Sequence, residues 1–251
     1  MVSINDITDK REILYSLAPY SEGVKKLKRK SDFIDFVYSD LKLYGSSLSL
    51  EGIKLILNGG TVPDAPVFEH RLCEAHRKLL TGFESKVNMG IEVDTVVLNE
   101  FCKILSGSDL PPFREGSPLL YHLDFVPGDD EKISSELAEA FLMIKIKERD
   151  GAFGLDSVFD PFLKAAALHN AIVKVYPYSE GFSELSARTS MQYILVKEGF
   201  FPVNLGIPET EYNKILASSV KTNDANILAD VLKVATYKKI HYLIDSVERG
   251  V

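Results

Sequence analysis

The residues best suited to chemistry lie where one predicted helix ends and the next begins, at positions 175–188. Their order is Val-Tyr-Pro-Tyr-Ser-Glu-Gly-Phe-Ser-Glu-Leu-Ser-Ala-Arg. The first turn of a helix offers free backbone amides and the positive end of the helix dipole, which together bind anions such as phosphate. Glu180, just before that turn, is a candidate magnesium ligand, because Mg²⁺ favours one or two carboxylates together with phosphate oxygens. A plain connection between two helices would use the same residue types, so both interpretations stay open.

This stretch resembles the motif of the Fic (Fido) family, His-Pro-Phe-x-Asp/Glu-Gly-Asn-Gly-Arg-x-x-Arg, which also joins two helices. Arg188 lies one residue beyond the position of the final arginine. The resemblance covers about residues 31–245. The aligned residues of the motif are Tyr176-Pro177-Tyr178-Ser179-Glu180-Gly181-Phe182-Ser183-Glu184, and similar segments are 165–175, 197–202, 208–216 and Pro112-Phe-Arg114.

The resemblance implies an all-α, Fic-type helical domain with a small β-hairpin flap near residues 108–130 and a motif loop at 176–188. The domain would occupy residues 31–251, with residues 1–30 as an N-terminal extension. The cofactors would be ATP and Mg²⁺. The implied site residues are Tyr176 at the catalytic histidine position, Glu180 as the metal ligand, and Gly181, Phe182, Ser183, Glu184 and Arg188 around the nucleotide.

A second match lies upstream, near residues 45–58. Ser47-Leu-Ser-Leu-Glu51-Gly52 fits the Ser/Thr-x-x-x-Glu-Gly/Asn signature of the family's inhibitory helix. In the family that glutamate pairs with the last arginine of the motif and blocks productive seating of the ATP γ-phosphate. The resemblance therefore implies inhibitory roles for Ser47, Glu51 and Gly52, and predicts a contact between Glu51 and Arg188.

Three departures from the family motif bear on activity. Tyr176 replaces the histidine that takes a proton from the target hydroxyl, and a phenol with a pKa near 10 is a poor base at neutral pH. Phe182 replaces an asparagine whose amide would contact phosphate. Glu184 replaces the first arginine, and a carboxylate about 4 Å from a phosphate charge costs roughly 4 kcal/mol at an effective dielectric constant near 20.

Each of these residues also has an interpretation without a catalytic role. Arg188 follows Glu184 by four positions, which suits an ion pair within one helix. Tyr176 fits a packed aromatic residue at a helix end. His169 lies on an apolar stripe, so it suits either a buried histidine with satisfied hydrogen bonds or a substitute base. Glu180 fits a solvated loop carboxylate equally well.

The composition excludes several classes of protein. The 251 residues carry 29 Lys and Arg against 36 Asp and Glu, so a net charge of −7 disfavours a chain-wide grip on nucleic acid or an anionic membrane. A hydrophobic content of 45% indicates a globular protein. No apolar run is long enough to span a bilayer and no signal peptide is visible, so we expect a cytoplasmic protein.

The run Lys25-Lys-Leu-Lys-Arg-Lys30 is the main local departure from this acidic balance. It suits a solvated helix face, or a patch for an acidic partner or nucleic acid. The absence of interleaved aromatic residues makes nucleic acid the weaker choice.

Helical periodicity dominates the remaining sequence, and Pro161–Val175 is apolar enough to be the central buried helix. Period-two alternation between turn residues occurs only in 108–130, so strands are predicted there alone. The other predicted helices are a run from Ser31 to about Gly45, then 66–80, 94–105, 133–147, 183–198, 208–219, 226–235 and 237–247.

Together these patterns predict a degenerate Fic-domain protein without standard AMP transfer, which acts as a protein-interaction or weak nucleotide-binding module. ATP and Mg²⁺ are then expected to bind weakly or not at all, and the partner is an unidentified protein. The alternative is a working nucleotidyl- or phosphotransferase, similar to a protein adenylyltransferase, that modifies Ser, Thr or Tyr hydroxyls with an altered motif.

Overall fold

Helices dominate the residues that this computed structural model describes, which are 2–155, 158–179 and 181–250. A π-helical turn at Ser31–Asp35 joins the second helix to the third, and a 3₁₀ turn at Asp130–Lys132 precedes the seventh. The α-helices are α1 (Ile4–Ser16), α2 (Glu22–Lys30), α3 (Phe36–Leu43), α4 (Leu50–Leu57), α5 (Val67–Asn88), α6 (Thr95–Ser106), α7 (Ile133–Arg149), α8 (Pro161–Val175), α9 (Phe182–Lys197), α10 (Glu209–Thr222) and α11 (Asn226–Glu248).

The antiparallel pair α8 and α9 forms the centre of the fold. Asp160 caps α8 by accepting hydrogen bonds from the amides of Phe162 and Leu163 at 3.0 and 3.1 Å, and proline at the first helical position suits that start. Burial of α8 agrees with the prediction from its apolar sequence. In α9 every residue from Phe182 to Leu195 is also buried, although many of them are polar.

Two helices extend beyond their predicted ends. The helix predicted to stop before Gly82 continues to Asn88, because Phe83 packs its ring 5.8 Å from Phe101 and 5.2 Å from Tyr193. Residues 226–248 form one helix, α11, rather than the two predicted. Its buried positions continue through Thr236, so packing holds the helix together where the local pattern indicated a break.

The prediction that strands are confined to 108–130 is wrong. The strands β1 (Gly154–Leu155) and β2 (Val158–Phe159) pair antiparallel elsewhere, whereas 108–130 has only isolated bridges among the described residues, one between Leu120 and Phe125 and one from Phe113 to Tyr178. Four prolines in that segment remove backbone donors, which prevents a longer ladder. The all-α fold class is as predicted, although the strand pair is β1 with β2 and does not lie in 108–130.

A buried arginine ties this flap, residues 108–130, to the motif loop, residues 176–188. Arg114 donates to the carbonyl oxygens of Tyr176 at 2.8 Å, of Gly128 at 2.7 Å and of Gly116. The backbones also pair, since Phe113 forms an antiparallel bridge with Tyr178. The flap and the motif loop therefore form one hydrogen-bonded unit.

The first thirty residues contribute to the same core. Ile7 and Leu14 of α1 are buried, and α1 packs along α11. Within the described ranges, no helix is both long and apolar enough to cross a bilayer.

Replacing Arg114 tests the hydrogen bonds between flap and motif loop. Arg114→Ala removes the donor to the buried carbonyl of Tyr176 and to the part-buried contacts with Gly116 and Gly128, so we expect a loss of about 3 kcal/mol in the free energy of unfolding by urea denaturation. Arg149→Ala is the matched control, since Arg149 is 74% exposed and pairs only with the adjacent Asp150. A loss below about 1 kcal/mol for Arg114→Ala would contradict this account of the flap.

Candidate functional site

The motif loop joins α8 to α9, and left-handed backbone conformations mark both of its junctions with the helices. Tyr176 ends α8 with a φ of 48°, and Gly181 precedes α9 with a φ of 77°. The Ser183 hydroxyl closes the loop, because it accepts a hydrogen bond from the Tyr178 amide at 2.7 Å and donates one to the Tyr178 carbonyl at 2.8 Å. The Ser183 side chain thus fixes the backbone of Tyr178 against the start of α9.

Tyr176, at the family's histidine position, is buried rather than presented to a substrate. Its side chain packs in the core, and its hydroxyl lies 3.5 Å from Glu184 Oε1. Burial, and then the neighbouring carboxylate, raises the pKa of Tyr176 well above its ordinary value. The phenol is therefore fully protonated at neutral pH, and it cannot serve as a general base there.

Glu184 pairs with a histidine from the flap. His122 Nε2 donates to Glu184 Oε1 at 2.6 Å, and the two side chains are 37% and 11% exposed. The hydrogen bond that His122 donates to Glu184 raises the pKa of His122 against the opposing effect of burial. Burial would raise the pKa of Glu184, but His122 and Arg188 outweigh burial and hold that pKa below its ordinary value. The pair is consequently an imidazolium and a carboxylate over a wide range of mildly acidic pH.

Aromatic side chains cover the start of α9. Phe182, 3% exposed, meets Phe68 edge-to-face at a centroid distance of 6.2 Å, and Phe68 lies 5.8 Å from Tyr44. A Cβ atom added to Gly181 would lie 2.9 Å from the Tyr44 ring, so only glycine fits there. These rings therefore pack against one another beside the first turn of α9.

Arg188 is the centre of a buried network of charged and polar groups. Its guanidinium forms a short ion pair with Asp40 of α3, whose other oxygen lies 2.7 Å from His76 Nε2. Arg188 also donates to the Tyr212 hydroxyl at 3.4 Å. Burial alone would raise the pKa of Asp40, but Arg188 and His76 outweigh burial and lower it. The Arg188 guanidinium therefore has its partners within the core.

The ion pair proposed within α9 is secondary to this network. Arg188 Nη1 lies 4.0 Å from Glu184 Oε2, at the limit of an ion pair, whereas Asp40 is in direct contact. His169 lies beyond Tyr212 in the same network: its Nε2 accepts from the Tyr212 hydroxyl at 2.8 Å. Burial lowers the pKa of His169 to about 4, so the ring is neutral at physiological pH. These contacts favour a packed core histidine over a substitute base.

The predicted contact between Glu51 and Arg188 is wrong. The Glu51 side chain is 78% exposed and pairs with Lys54 at 2.5 Å, whereas the Arg188 side chain is 2% exposed and faces Asp40. The reason is that Asp40, on an adjoining helix, already supplies the carboxylate that Arg188 needs.

The other inhibitory-type residues have structural contacts. Ser47 binds Glu69, with its amide 3.0 Å from Oε1 and its hydroxyl 3.3 Å from Oε2. Gly52 lies in the first turn of α4, and its amide donates to the hydroxyl of the N-cap residue Ser49 at 3.0 Å. The match at 47–52 therefore coincides with the start of an ordinary capped helix.

The metal prediction falls largely outside these observations. Glu180, the predicted magnesium ligand, is not among the described residues. Among those that are described, no group of three or more His, Cys, Asp or Glu side chains is arranged to hold a metal ion.

Comparison with known proteins places this geometry in a recognised structural class. No protein-family model matches the chain. A Fic-domain-containing signalling protein from Bacteroides thetaiotaomicron superimposes with a TM-score of 0.80 over 97% of this chain and 98% of that one, at 16% identity. This chain has the Fic-domain fold. Fic-1 from Caenorhabditis elegans also matches, with a TM-score of 0.75 over 98% of this chain and 73% of that structure, at 18% identity.

Sequence comparison agrees with the Fic-type assignment. The protein adenylyltransferases fic-1 of Caenorhabditis briggsae and C. elegans are 26% and 25% identical, over 75% and 82% of this chain. The chain spans only 36% and 39% of the length of these curated relatives. They establish the likeness of the Fic-type domain, and leave the activity of this chain to be argued from its own residues.

Four site residues were missed by sequence reasoning alone: Asp40, His76, His122 and Tyr212. Asp40 had a usable signal, because it lies between the buried Val37 and Leu41 on the apolar stripe of α3. A charged residue on such a stripe requires a buried partner. His122 had no comparable signal, since it lies in an irregular segment.

Substitution of Asp40 and of Glu51 compares how much a buried and an exposed carboxylate contribute to stability. Asp40→Ala leaves Arg188 buried without its counter-ion, so we expect a loss of about 3–5 kcal/mol in the free energy of unfolding. Glu51→Ala removes one exposed ion pair and is expected to cost below about 1 kcal/mol. Equal losses for the two variants in urea denaturation would show that the core pair is not dominant.

The pair of His122 and Glu184 predicts a defined pH dependence. A raised histidine pKa contributes stability below its unfolded value of 6.5, and a lowered glutamate pKa contributes above 4.5. His122→Ala is therefore expected to cost most between these values and progressively less as pH rises through the folded pKa of His122. Because His122 is partly exposed, screening limits the cost to about 1 kcal/mol.

The control for this pH dependence is the same substitution in a Glu184→Gln background. Without the carboxylate, the effect of His122→Ala on unfolding should lose its dependence on pH. A pH dependence that survives in this background would assign the titration to another group.

Proposed function

We propose that this chain is a Fic-type protein that does not transfer AMP and that acts through contacts with a partner protein. The single observation that supports this is the use of Arg188, which is buried against Asp40 instead of facing a phosphate. Transfer of a phosphoryl-type group depends on positive groups that are already placed around the developing negative charge. In this chain Arg188, the arginine expected in that role, lies in the core.

The two neighbouring positions support the same conclusion by different physical effects. Glu184 stands where the family motif has an arginine and pairs with His122, so the two side chains together offer an anion no net positive charge. Without His122, the carboxylate would repel a phosphate charge about 4 Å away by roughly 4 kcal/mol at an effective dielectric constant near 20. Phe182 acts sterically, because its large ring takes the place of the family's asparagine at the start of α9, where an anion would approach the amides.

The cofactor prediction follows from these effects. ATP and Mg²⁺ are expected to bind this domain weakly or not at all, because attraction to phosphate is lost and the approach is filled. At 1 mM nucleotide, a dissociation constant of 1 mM would stabilise the protein by only about 0.4 kcal/mol. Thermal shift with ATP and Mg²⁺ should therefore give almost no change in Tm.

A second candidate function rests on His122. Its imidazole lies beside the motif loop with 37% of the side chain exposed, and Glu184 orients it. A histidine held by a carboxylate is a common general base. In an active transferase with an altered motif, His122 would take the proton from a Ser, Thr or Tyr hydroxyl in place of the lost histidine.

Incorporation of labelled ATP into protein separates the two functions. We expect no incorporation by the unaltered chain, and none by Tyr176→His, because restoring a base leaves the phosphate site filled and without positive charge. The fic-1 adenylyltransferase of C. elegans serves as the positive control.

Two outcomes would overturn the proposal. Incorporation by the unaltered chain that is lost in His122→Ala would establish the transferase with a replaced base. Incorporation restored by Tyr176→His alone would mean that the site lacks only its base, contrary to the effects ascribed to Phe182 and Glu184.

A further inference from the structure

A large apolar groove lies on a different part of the molecule from the motif loop. It runs between α2, the π-helical turn, one side of α5 and the residues at and after the end of α9, and it has a volume of about 1090 Å³. Its apolar lining comes from Leu27, Phe33, Ile34, Leu80, Phe83 and Val196. All of these except Phe83 are partly open to solvent, so the groove presents apolar surface that the fold does not cover.

Positive side chains line one edge of the groove. Lys26, Arg29 and Lys30 occupy one face of α2 at spacings of three and four residues, and all three are exposed. Within the part of the chain that the structure describes, none of these three side chains forms a hydrogen bond or an ion pair. Lys25 differs, because its side chain pairs with Glu22 at 2.7 Å. Unpaired cations beside apolar surface in a chain of net charge −7 mark a site for an anionic, apolar ligand.

The backbone is irregular at the same place. The π-helical turn at Ser31–Asp35 interrupts the path from α2 to α3, and Phe33 and Ile34 from this turn line the groove. Such turns are uncommon and are often found at functional sites, because the wider turn redirects the side chains that follow. It is a second observation, independent of charge, that distinguishes this groove.

We propose that the groove binds an acidic amphipathic helix of a partner protein. In this mode of recognition an apolar stripe at helical spacing enters a hydrophobic groove. Carboxylates on the edge of the same helix would meet Lys26, Arg29 and Lys30, which are themselves at helical spacing. The groove shares no residue with the motif loop, so this proposal does not depend on whether the Fic-type site is active.

The shape and lining favour such a helix over other anionic ligands. Nucleic acid binds through phosphate contacts and through stacking of successive bases on aromatic side chains, whereas Phe33 is the one aromatic residue of this lining that is partly open to solvent. A bilayer surface is flat on this scale, whereas the apolar residues here lie in a recess. A single fatty-acid carboxylate would satisfy one or two cations, whereas three are spread over a full turn of α2.

A phage-displayed library of helical peptides, selected on the full chain, tests the proposal. We expect enrichment of peptides with Leu, Ile or Phe at positions i, i+3, i+4 and i+7 and with Asp or Glu flanking that stripe. The best peptide, labelled and measured by fluorescence anisotropy, should bind more weakly as salt increases, because screening reduces the attraction between the charges.

Two variants address the two parts of the site. The triple variant K26E/R29E/K30E should weaken binding at least about tenfold, which corresponds to about 1.4 kcal/mol. Its salt dependence should reverse, because salt then screens repulsion between like charges. Thr81→Trp places a bulky ring in the groove from an exposed position on α5, and should weaken binding by a similar factor with the salt dependence retained. Lys25→Glu, on α2 but outside the groove, is the matched control and should leave the affinity within about twofold.

Several results would overturn the proposal. These are no enrichment beyond that on the triple variant, enrichment of basic or non-periodic peptides, or peptide binding that neither variant weakens. Binding of phosphatidylserine vesicles, duplex DNA or a second copy of the chain that the same variants abolish, in the absence of peptide binding, would assign the groove to that other occupant. Circular dichroism of each variant confirms that folding is intact.

Discussion

The buried ion pair between Arg188 and Asp40 constrains the whole interior of this protein. A guanidinium in the core is costly unless its charge and its donors are satisfied, so the helices around α9 must present polar groups to it. Asp40 of α3 and Tyr212 of α10 contact Arg188 directly, and His76 of α5 contacts Asp40. The central helix can therefore carry a charge at its middle and still be surrounded on all sides by packed helices.

The same pair links stability to the direction in which Arg188 presents its donors. An arginine that stabilises a phosphoryl-transfer transition state must have donors directed at an open cleft. Donors directed at Asp40 are directed into the core. Because one side chain cannot serve both geometries at once, the contact that stabilises the helices leaves these Arg188 donors facing the interior.

Sequence patterns were sufficient for the fold class and for the location of the loop. The apolar periodicity of 161–175 and the turn residues at 176–181 gave the two central helices and their junction, because both depend on interactions between near neighbours along the chain. The burial of α9 was missed, since its polar residues become internal only when other helices surround them. Asp40 and Arg188 are far apart in sequence, and local patterns carry no information on such pairs.

The packing of Phe182 against Phe68 limits which substitutions the core tolerates. A large buried ring replaced by a smaller polar side chain leaves a cavity and an unsatisfied amide, which costs about 2–5 kcal/mol. Asparagine at position 182 would therefore lower the stability of the chain, and Glu184 and Tyr176 would still differ from the Fic motif. Tyr44, whose ring lies against Gly181, adds to this constraint. Selection for a stable interior thus opposes each single substitution that would bring the loop closer to that motif.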